Sequence, residues 1–268
     1  MIKYPEFDPV AIALGPIKVR WYGLTYILGF LACWLLLRYR ALRSDGRWTV
    51  QHVEEIIFYG MLGVLLGGRL GYVLFYGTET FLQDPLYLFR IWDGGMSFHG
   101  GISGVAVAMY LFGRRAGKSF LEVTDFMVPA VPPGLFFGRM GNFINGELWG
   151  GETTLPWGFE VNGVVLHPSQ LYEAALEGVL LFIIVWVYSS RPRATGAVSG
   201  VMLAGYAVFR MLVEFVRTPD AHLGDDGYLA FGWVTMGQVL SLPMLIIGLW
   251  LFLRARQSPE ATAAEGGR

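Results

Sequence analysis

WYGLTYILGFLACWLLL, residues 21–37, is an unbroken apolar run, and AFGWVTMGQVLSLPMLIIGLWLFL, residues 230–253, is a longer one. At 1.5 Å of rise per residue, about 20 helical residues cross a hydrocarbon core of ~30 Å, so both read as membrane spans. Between them lie five less clean candidates at 56–76, 96–112, 120–137, 171–189 and 196–216. The fourth span, 120–137, contains Glu122, Asp125, Pro129, Pro132 and Pro133, and is expected to be kinked or only partly spanning. The predicted fold class is therefore all-α, a polytopic membrane helix bundle of about seven transmembrane helices.

Composition agrees with that reading. Of 268 residues, 54% are hydrophobic and only 15% charged, and the mean hydropathy is +0.48. A soluble domain carries about 25% charge, so this chain lacks the polar surface to keep itself in water. Disorder is excluded by the same apolar, aromatic content. A single cysteine, Cys33, rules out a disulfide framework and a cysteine metal site. The net charge of −1 offers no basic field for nucleic acid, and none is expected as a partner.

Loop charges set the orientation. Arg38, Arg40, Arg43 and Arg47 follow the first span; Arg114, Arg115 and Lys118 the third; Arg191 and Arg193 the fifth; Arg254 and Arg256 the last. The opposite loops carry Arg90, Arg139 and Arg217, with Lys3, Lys18 and Arg20 ahead of the first span. By the positive-inside tendency the N-terminus is outside and the C-terminus cytoplasmic. Residues 1–20 lack a basic region followed by an apolar one, so they are expected to form an interfacial segment, with Tyr4, Phe7 and Trp21 as amphipathic anchors, not a cleavable signal peptide. Residues 21–255 make the seven-helix membrane domain, with a small extracytoplasmic head at about 139–167. Residues 256–268 are polar and small, and read as a disordered cytoplasmic tail. No repeat with a period of tens of residues is visible.

A charge at the bilayer centre costs about 2.5–3.5 kcal/mol on insertion scales, so charged residues within the spans are candidates for function. Arg210 falls in the outer half of its span, with Glu214 at i+4 and Arg217 at i+7 giving a charged stripe on one helix face. His99 opens the third span within DGGMSFHGGISG (93–104), where glycines permit close approach of a backbone or ligand. Arg139, Asn142, Asn145 and Glu147 follow the fourth span, and Tyr22 opens the first. Tyr22, His99, Arg139, Asn142, Glu147, Arg210 and Glu214 thus share an outer-leaflet depth although they come from separate segments.

Each also has an ordinary reading. Arg210 with Glu214 forms a structural ion pair in many helices; Asn142 and Asn145 suit a helix end or turn; His99 suits a hydrogen-bonded packing position. Arg69, deep in the second span, is expected to bond to a neighbouring helix's carbonyls or carboxylate. His52 reads as a surface residue, and His222 as solvated beside Asp220, Asp225 and Asp226. His167 is expected to help cap the fifth span's helix, Glu173 and Glu177 to share a face toward the bundle interior, and Cys33 to pack. No HExxH-like spacing occurs, so no metal and no cofactor is expected.

Two arginines at headgroup depth suit a phosphate anchored in lipid, because guanidinium makes bidentate bonds to phosphate oxygens and stabilises charge on a departing one. Two classes follow from this: an enzyme acting on a phospholipid, or, as the alternative, a transporter or flippase that binds an anionic phospholipid without chemistry. The transporter reading expects inverted repeats and broken midplane helices, which are not visible.

GRMGNFINGELWG (138–150) resembles the signature of the bacterial prolipoprotein diacylglyceryl transferases. RWYGLTYILGF (20–30), LGGRLGYVLFY (66–76), DGGMSFHGGISG (93–104), HPSQLYEA (167–174) and GYAVFRMLVEFVRTPD (205–220) resemble further blocks of that family in the same order. The resemblance implies transfer of the diacylglyceryl group of phosphatidylglycerol to the lipobox cysteine thiol of a prolipoprotein, forming a thioether and releasing glycerol phosphate. It also implies a multi-pass enzyme of the bacterial cytoplasmic (inner) membrane, with its site toward the outer leaflet. His99 matches the family's essential histidine, Arg139 the signature arginine that binds phosphatidylglycerol, and Arg210 a second essential arginine. Tyr22, Asn142, Glu147, Tyr206 and Glu214 match further residues of the phosphatidylglycerol site. Only residues 151–166 separate the signature from HPSQLYEA, shorter than in some family members, so the head is expected to be small.

Overall fold

The computed structural model describes residues 2–15, 17–218, 229, 231 and 233–257. The readings of the loop around His222, with Asp220, Asp225 and Asp226, and of the tail from residue 258 lie outside the described residues. Residue 230, the start assigned to the last span, also lies outside them.

Helices dominate. They are α1 (Trp21–Leu42), α2 (Val50–Phe75), α3 (Thr78–Gln83), α4 (Phe98–Ala116), α5 (Phe120–Met127), α6 (Pro132–Ile144), α7 (Ser169–Glu173), α8 (Leu181–Ser189), α9 (Ala197–Glu214) and α10 (Met236–Arg256). A π-helical stretch, Ala174–Leu180, joins α7 to α8. Large apolar side chains stand exposed along the helices, among them Ile27, Leu74, Ile183, Val187, Ile246 and Leu253. Such a surface is stable only against lipid. The protein is a polytopic helical membrane protein.

Among the described residues five helical stretches are long and apolar enough to cross a membrane: α1, α2, Ser169–Ser189, α9 and α10. The expected fourth span is a sixth only as a bent pair, Phe120–Ala130 with Pro132–Ile144, at an angle of 47°. The prolines responsible were legible: Pro132 and Pro133 lack amide hydrogens, and the chain breaks at Val131. The third expected span corresponds to α4, whose 19 residues suffice in length. Its glycines and its terminal Arg114 and Arg115 leave it outside the set with the apolarity of a span.

The all-α class needs one amendment. Five short strands occur among the described residues: β1 (Ile2–Lys3), β2 (Val10–Leu14), β3 (Ile17–Arg20), β4 (Phe159–Val161) and β5 (Val164–Leu166). β2 and β3 form an antiparallel hairpin, Leu14 opposite Ile17. β4 and β5 form another, turning on Asn162 and Gly163, both at positive φ (52° and 82°) as a type I′ turn requires. β1 pairs parallel to β4, so the first residues share a sheet with residues 159–166. Tyr4 is buried there among Phe7, Phe143 and Trp149. Its hydroxyl donates to the carbonyls of Phe143 (2.8 Å) and Ile144 (3.1 Å) at the end of α6.

The chain divides into two compact units, Met1–Leu36 with Met127–Arg268, and Leu37–Phe126. The second is built on α2 and α4. Gly63, Gly67 and Gly71 face Gly100 and Gly104 so closely that a Cβ at Gly63 would stand 2.7 Å from the Gly104 oxygen. Side chains would push these backbones apart, so glycine is required here. Arg69 is buried in the same unit. Its guanidinium donates to the carbonyls of Leu88 (3.1 Å), Gly94 (2.5 Å), Gly95 (3.2 Å) and Tyr87 (2.5 Å). The carbonyl reading of Arg69 holds: Tyr87 and Leu88 lie in a short 3-10 helix, Pro85–Phe89, and Gly94 and Gly95 in the loop that leads to α4. His52, read as a surface residue, closes a capping box with Thr49 at the start of α2.

Candidate functional site

The larger unit concentrates the polar residues. Its apolar core is Leu181, Val185, Val198 and Met202, with Val128, Val131, Leu135 and Tyr206 packed around it. α6 approaches the π-helical stretch at Gly178, where a Cβ would meet the Phe136 backbone at 2.9 Å. That close approach brings Arg139 of α6 to the acidic face of the 169–180 segment.

Glu173 is the meeting point. Its carboxylate is completely buried. One oxygen, Oε2, pairs with Arg139 Nε at 2.5 Å, while Oε1 pairs with Arg210 Nη1 and with Arg217 Nη1 at 2.8 Å. Glu214 takes the other side of two of these cations, Arg210 Nη2 at 2.5 Å and Arg217 Nε at 3.3 Å. Its second oxygen accepts from the Thr235 hydroxyl (2.6 Å) at the start of α10. Gly237 lies against that carboxylate, and a Cβ there would overlap it. Glu177, one turn beyond Glu173, is completely buried as well; its nearest cation is Arg139 Nη2 at 4.0 Å, and neither oxygen has a hydrogen-bond partner.

The expected stripe Arg210–Glu214–Arg217 is not all helical, because α9 ends at Glu214. Arg217 lies beyond it, bridged to Gly150, with the Gly151 amide donating to the Val216 carbonyl at 2.9 Å. Only glycine fits at 150, since a Cβ would run into that carbonyl. The last glycine of the 138–150 signature thus sets where Arg217 emerges.

A second polar chain runs from Arg139 through Asn142 (Nη1 to Oδ1, 3.5 Å) to Glu147, whose Oε1 accepts from Asn142 Nδ2 at 2.7 Å and Asn145 Nδ2 at 3.4 Å. Gln170 Nε2 donates to the Glu147 carbonyl and Ser169 Oγ to that of Leu148, both at 2.6 Å. The HPSQLYEA and GRMGNFINGELWG segments are therefore fastened directly to one another. Tyr22 packs beside Gly141, bonds to the Tyr26 hydroxyl at 3.2 Å, and neighbours Asn142 and Glu147. Tyr206 lies beside Glu177 and Arg210. His167 bonds to the Tyr172 hydroxyl at 3.2 Å, with no side-chain cap on α7, and burial lowers its imidazole pKa.

The larger unit thus brings together Tyr22, Arg139, Asn142, Glu147, Tyr206, Arg210 and Glu214, while His99 belongs to the other unit, at the start of α4. Sequence reasoning left Glu173, Glu177 and Arg217 out of the site. The available signal was a pair of carboxylates at i,i+4 inside an apolar span, which burial makes costly unless cations answer it. Among the described residues no group of three or more His, Cys, Asp or Glu is arranged to hold a metal ion.

Apolar helices enclosing partly exposed, converging guanidiniums define an integral membrane protein with a site suited to an anionic group. Residues 9–254 match the family described as prolipoprotein diacylglyceryl transferase. The chain belongs to that family. It is 61% identical to the phosphatidylglycerol–prolipoprotein diacylglyceryl transferase of Oleidesulfovibrio alaskensis, covering 98% of each chain. It is 56% identical to the protein of that name from Solidesulfovibrio magneticus (99% of this chain, 100% of the other). Identity to the Legionella pneumophila protein of that name is 54% (96% and 100%).

Proposed function

We propose that the protein transfers the diacylglyceryl group of phosphatidylglycerol to the lipobox cysteine thiol of prolipoproteins. The observation that carries this reading is the convergence of Arg139, Arg210 and Arg217 on Glu173 in a member of this family. Guanidiniums fixed in advance stabilise charge that develops on a departing phosphate, because they need no reorganisation when it appears. The transporter reading has no observation of its own.

In the proposed reaction the thiol gives its proton to a base, and the thiolate sulfur bonds to the glyceryl carbon that bears the phosphate. The carbon–oxygen bond breaks with its electron pair going to oxygen, and glycerol phosphate leaves. Arg139 and Arg210 hold the phosphate; Asn142, Glu147, Tyr22, Tyr206 and Glu214 line the lipid site. His99 is proposed as the base on the family resemblance. We further propose seven spans, an outside N-terminus and a site toward the outer leaflet of the bacterial inner membrane, supported by the distribution of loop arginines.

The test is purified protein with phosphatidylglycerol vesicles and a lipobox peptide. A peptide mass increased by one diacylglyceryl group is the expected result; lipid movement without that increase overturns the reading in favour of transport. For His99, the expected result is that His99→Gln loses the acidic limb of the pH–rate profile, where protonation of the base would otherwise lower the rate. An unchanged profile of reduced height removes the base assignment.

A further inference from the structure

Resting on that activity, we propose that Glu173 is the positioning residue of the site: a buried carboxylate hub that aims three guanidiniums, so that Arg217 acts as a third phosphate-holding arginine beside Arg139 and Arg210. Glu173 is fully enclosed, whereas the side chains of Arg139, Arg210 and Arg217 remain 22%, 16% and 14% exposed. The carboxylate therefore stands behind the cations, on the side away from any incoming ligand.

The donors can be counted. An arginine has five N–H groups in a rigid fork, and fixing one edge fixes the direction of the rest. Arg210 donates Nη1 to Glu173 and sets Nη2 against Glu214 as an ion pair without a hydrogen bond, and its Nε donates to no described residue. Arg217 donates Nη1 to Glu173 and sets Nε against Glu214 as an ion pair, and its Nη2 likewise has no described partner. Arg139 sets Nε against Glu173 as an ion pair and Nη1 toward Asn142 at 3.5 Å, while its Nη2 lies 4.0 Å from Glu177 without a hydrogen bond. Each arginine is thus oriented by the hub and keeps donor capacity for a phosphate oxygen. Two short elements supply the aim: the Gly178 contact sets the distance from α6 to the hub, and the Gly150 bridge sets the position of Arg217.

A hub of this kind acts on the transition state more than on the bound lipid. The phosphodiester carries one charge, and the departing phosphate gains another, so correct aim matters most as the bond breaks. Glu173→Gln keeps the shape and removes the charge that binds three cations. The experiment measures kcat and KM of the full chain in phosphatidylglycerol vesicles, normalised to folded protein by size-exclusion monodispersity. The expected result is a kcat lowered about a hundredfold with KM within about threefold. Arg217→Gln is expected to lower kcat about tenfold, and the double variant to be no worse than Glu173→Gln alone, since both remove one interaction unit. Folded Glu173→Gln protein with wild-type kcat overturns the hub, whatever KM does. If that variant does not fold, Arg217→Gln carries the test, and wild-type kcat there overturns the proposal. Absence of product from the wild-type protein overturns the activity and the hub's part in it together.

Discussion

Arg69 and the trio Arg139, Arg210 and Arg217 answer the same problem, an arginine taken out of water, in opposite ways. Arg69 is surrounded by backbone carbonyls of Tyr87, Leu88, Gly94 and Gly95 and by the faces of Tyr87 and Tyr72, at 4.6 and 5.9 Å. Those acceptors are neutral, rigid and local, and they use up Nε and both terminal nitrogens. The trio is met by carboxylates on separate elements, and donor capacity is left over: Arg210 Nε and Arg217 Nη2 meet no described residue, and Arg139 Nη2 makes no hydrogen bond to Glu177. A carbonyl-held arginine is a staple for a loop, whereas a carboxylate-held one is a charge stored in a chosen direction. Burial alone does not tell the two apart; the acceptor type does.

The largest expected effect breaks the comparison on the functional side. Arg139→Ala removes one guanidinium while Glu173 keeps Arg210 and Arg217, so the fold survives. Transfer is expected to fall by about 10²–10³-fold, as for loss of a preorganised oxyanion donor. Peptide lipidation assayed at equal folded protein checks it, and wild-type turnover would remove Arg139 from the mechanism. Next comes the staple itself. Arg69→Met keeps apolar bulk but strips the carbonyl acceptors of their donor, at an expected cost of roughly 3 kcal/mol in stability. The readout is the thermal unfolding midpoint in detergent. An unchanged midpoint would show that those carbonyls find water instead.

Much of the fold was legible because bilayer physics writes it in long apolar runs, and the break at Val131 was legible because Pro132 and Pro133 interrupt one of them. Arg139, Arg210 and Glu214 stood out as charges among apolar neighbours. Glu173 was expected to face the bundle interior, and it is buried, but its role as the meeting point was not legible, because its partners come from α6 and the end of α9, and sequence spacing carries no trace of a contact between elements. The end of α9 was hidden too, since Phe215 and Val216 continue the apolar pattern although the helix stops at Glu214. Strand β1 has only two residues, too few for any alternation to register. His52 looked idle because its task, a capping bond to the Thr49 amide, is local and needs no unusual neighbourhood.

A subtler change sharpens the contrast by moving one carboxylate without touching a cation. Gly237→Ala places a methyl where the Glu214 carboxylate now lies, so Glu214 must shift and carry Arg210 and Arg217 with it. Transfer is expected to fall about tenfold, as when one interaction of a preorganised set is misaligned. An unchanged rate would mean that the aim of these two arginines is not set by Glu214.

The smallest expected effect extends the carbonyl-held class into the unit that holds the arginine trio. Tyr4 donates its hydroxyl to the last carbonyls of α6, the helix that carries Arg139, while its ring packs among Phe7, Phe143 and Trp149. Tyr4→Phe leaves that packing intact and removes the donor. The half-buried Ile144 carbonyl then loses its donor, while that of Phe143 keeps the Gly146 amide, at an expected cost of about 1 kcal/mol. Because a staple supports the backbone and does not aim a charge, turnover per folded molecule is expected to stay within about twofold while the unfolding midpoint falls. A larger loss of turnover at an unchanged midpoint would place Tyr4 with the carboxylate-held trio, and the division between holding a loop and aiming a charge would then fail at the end of α6.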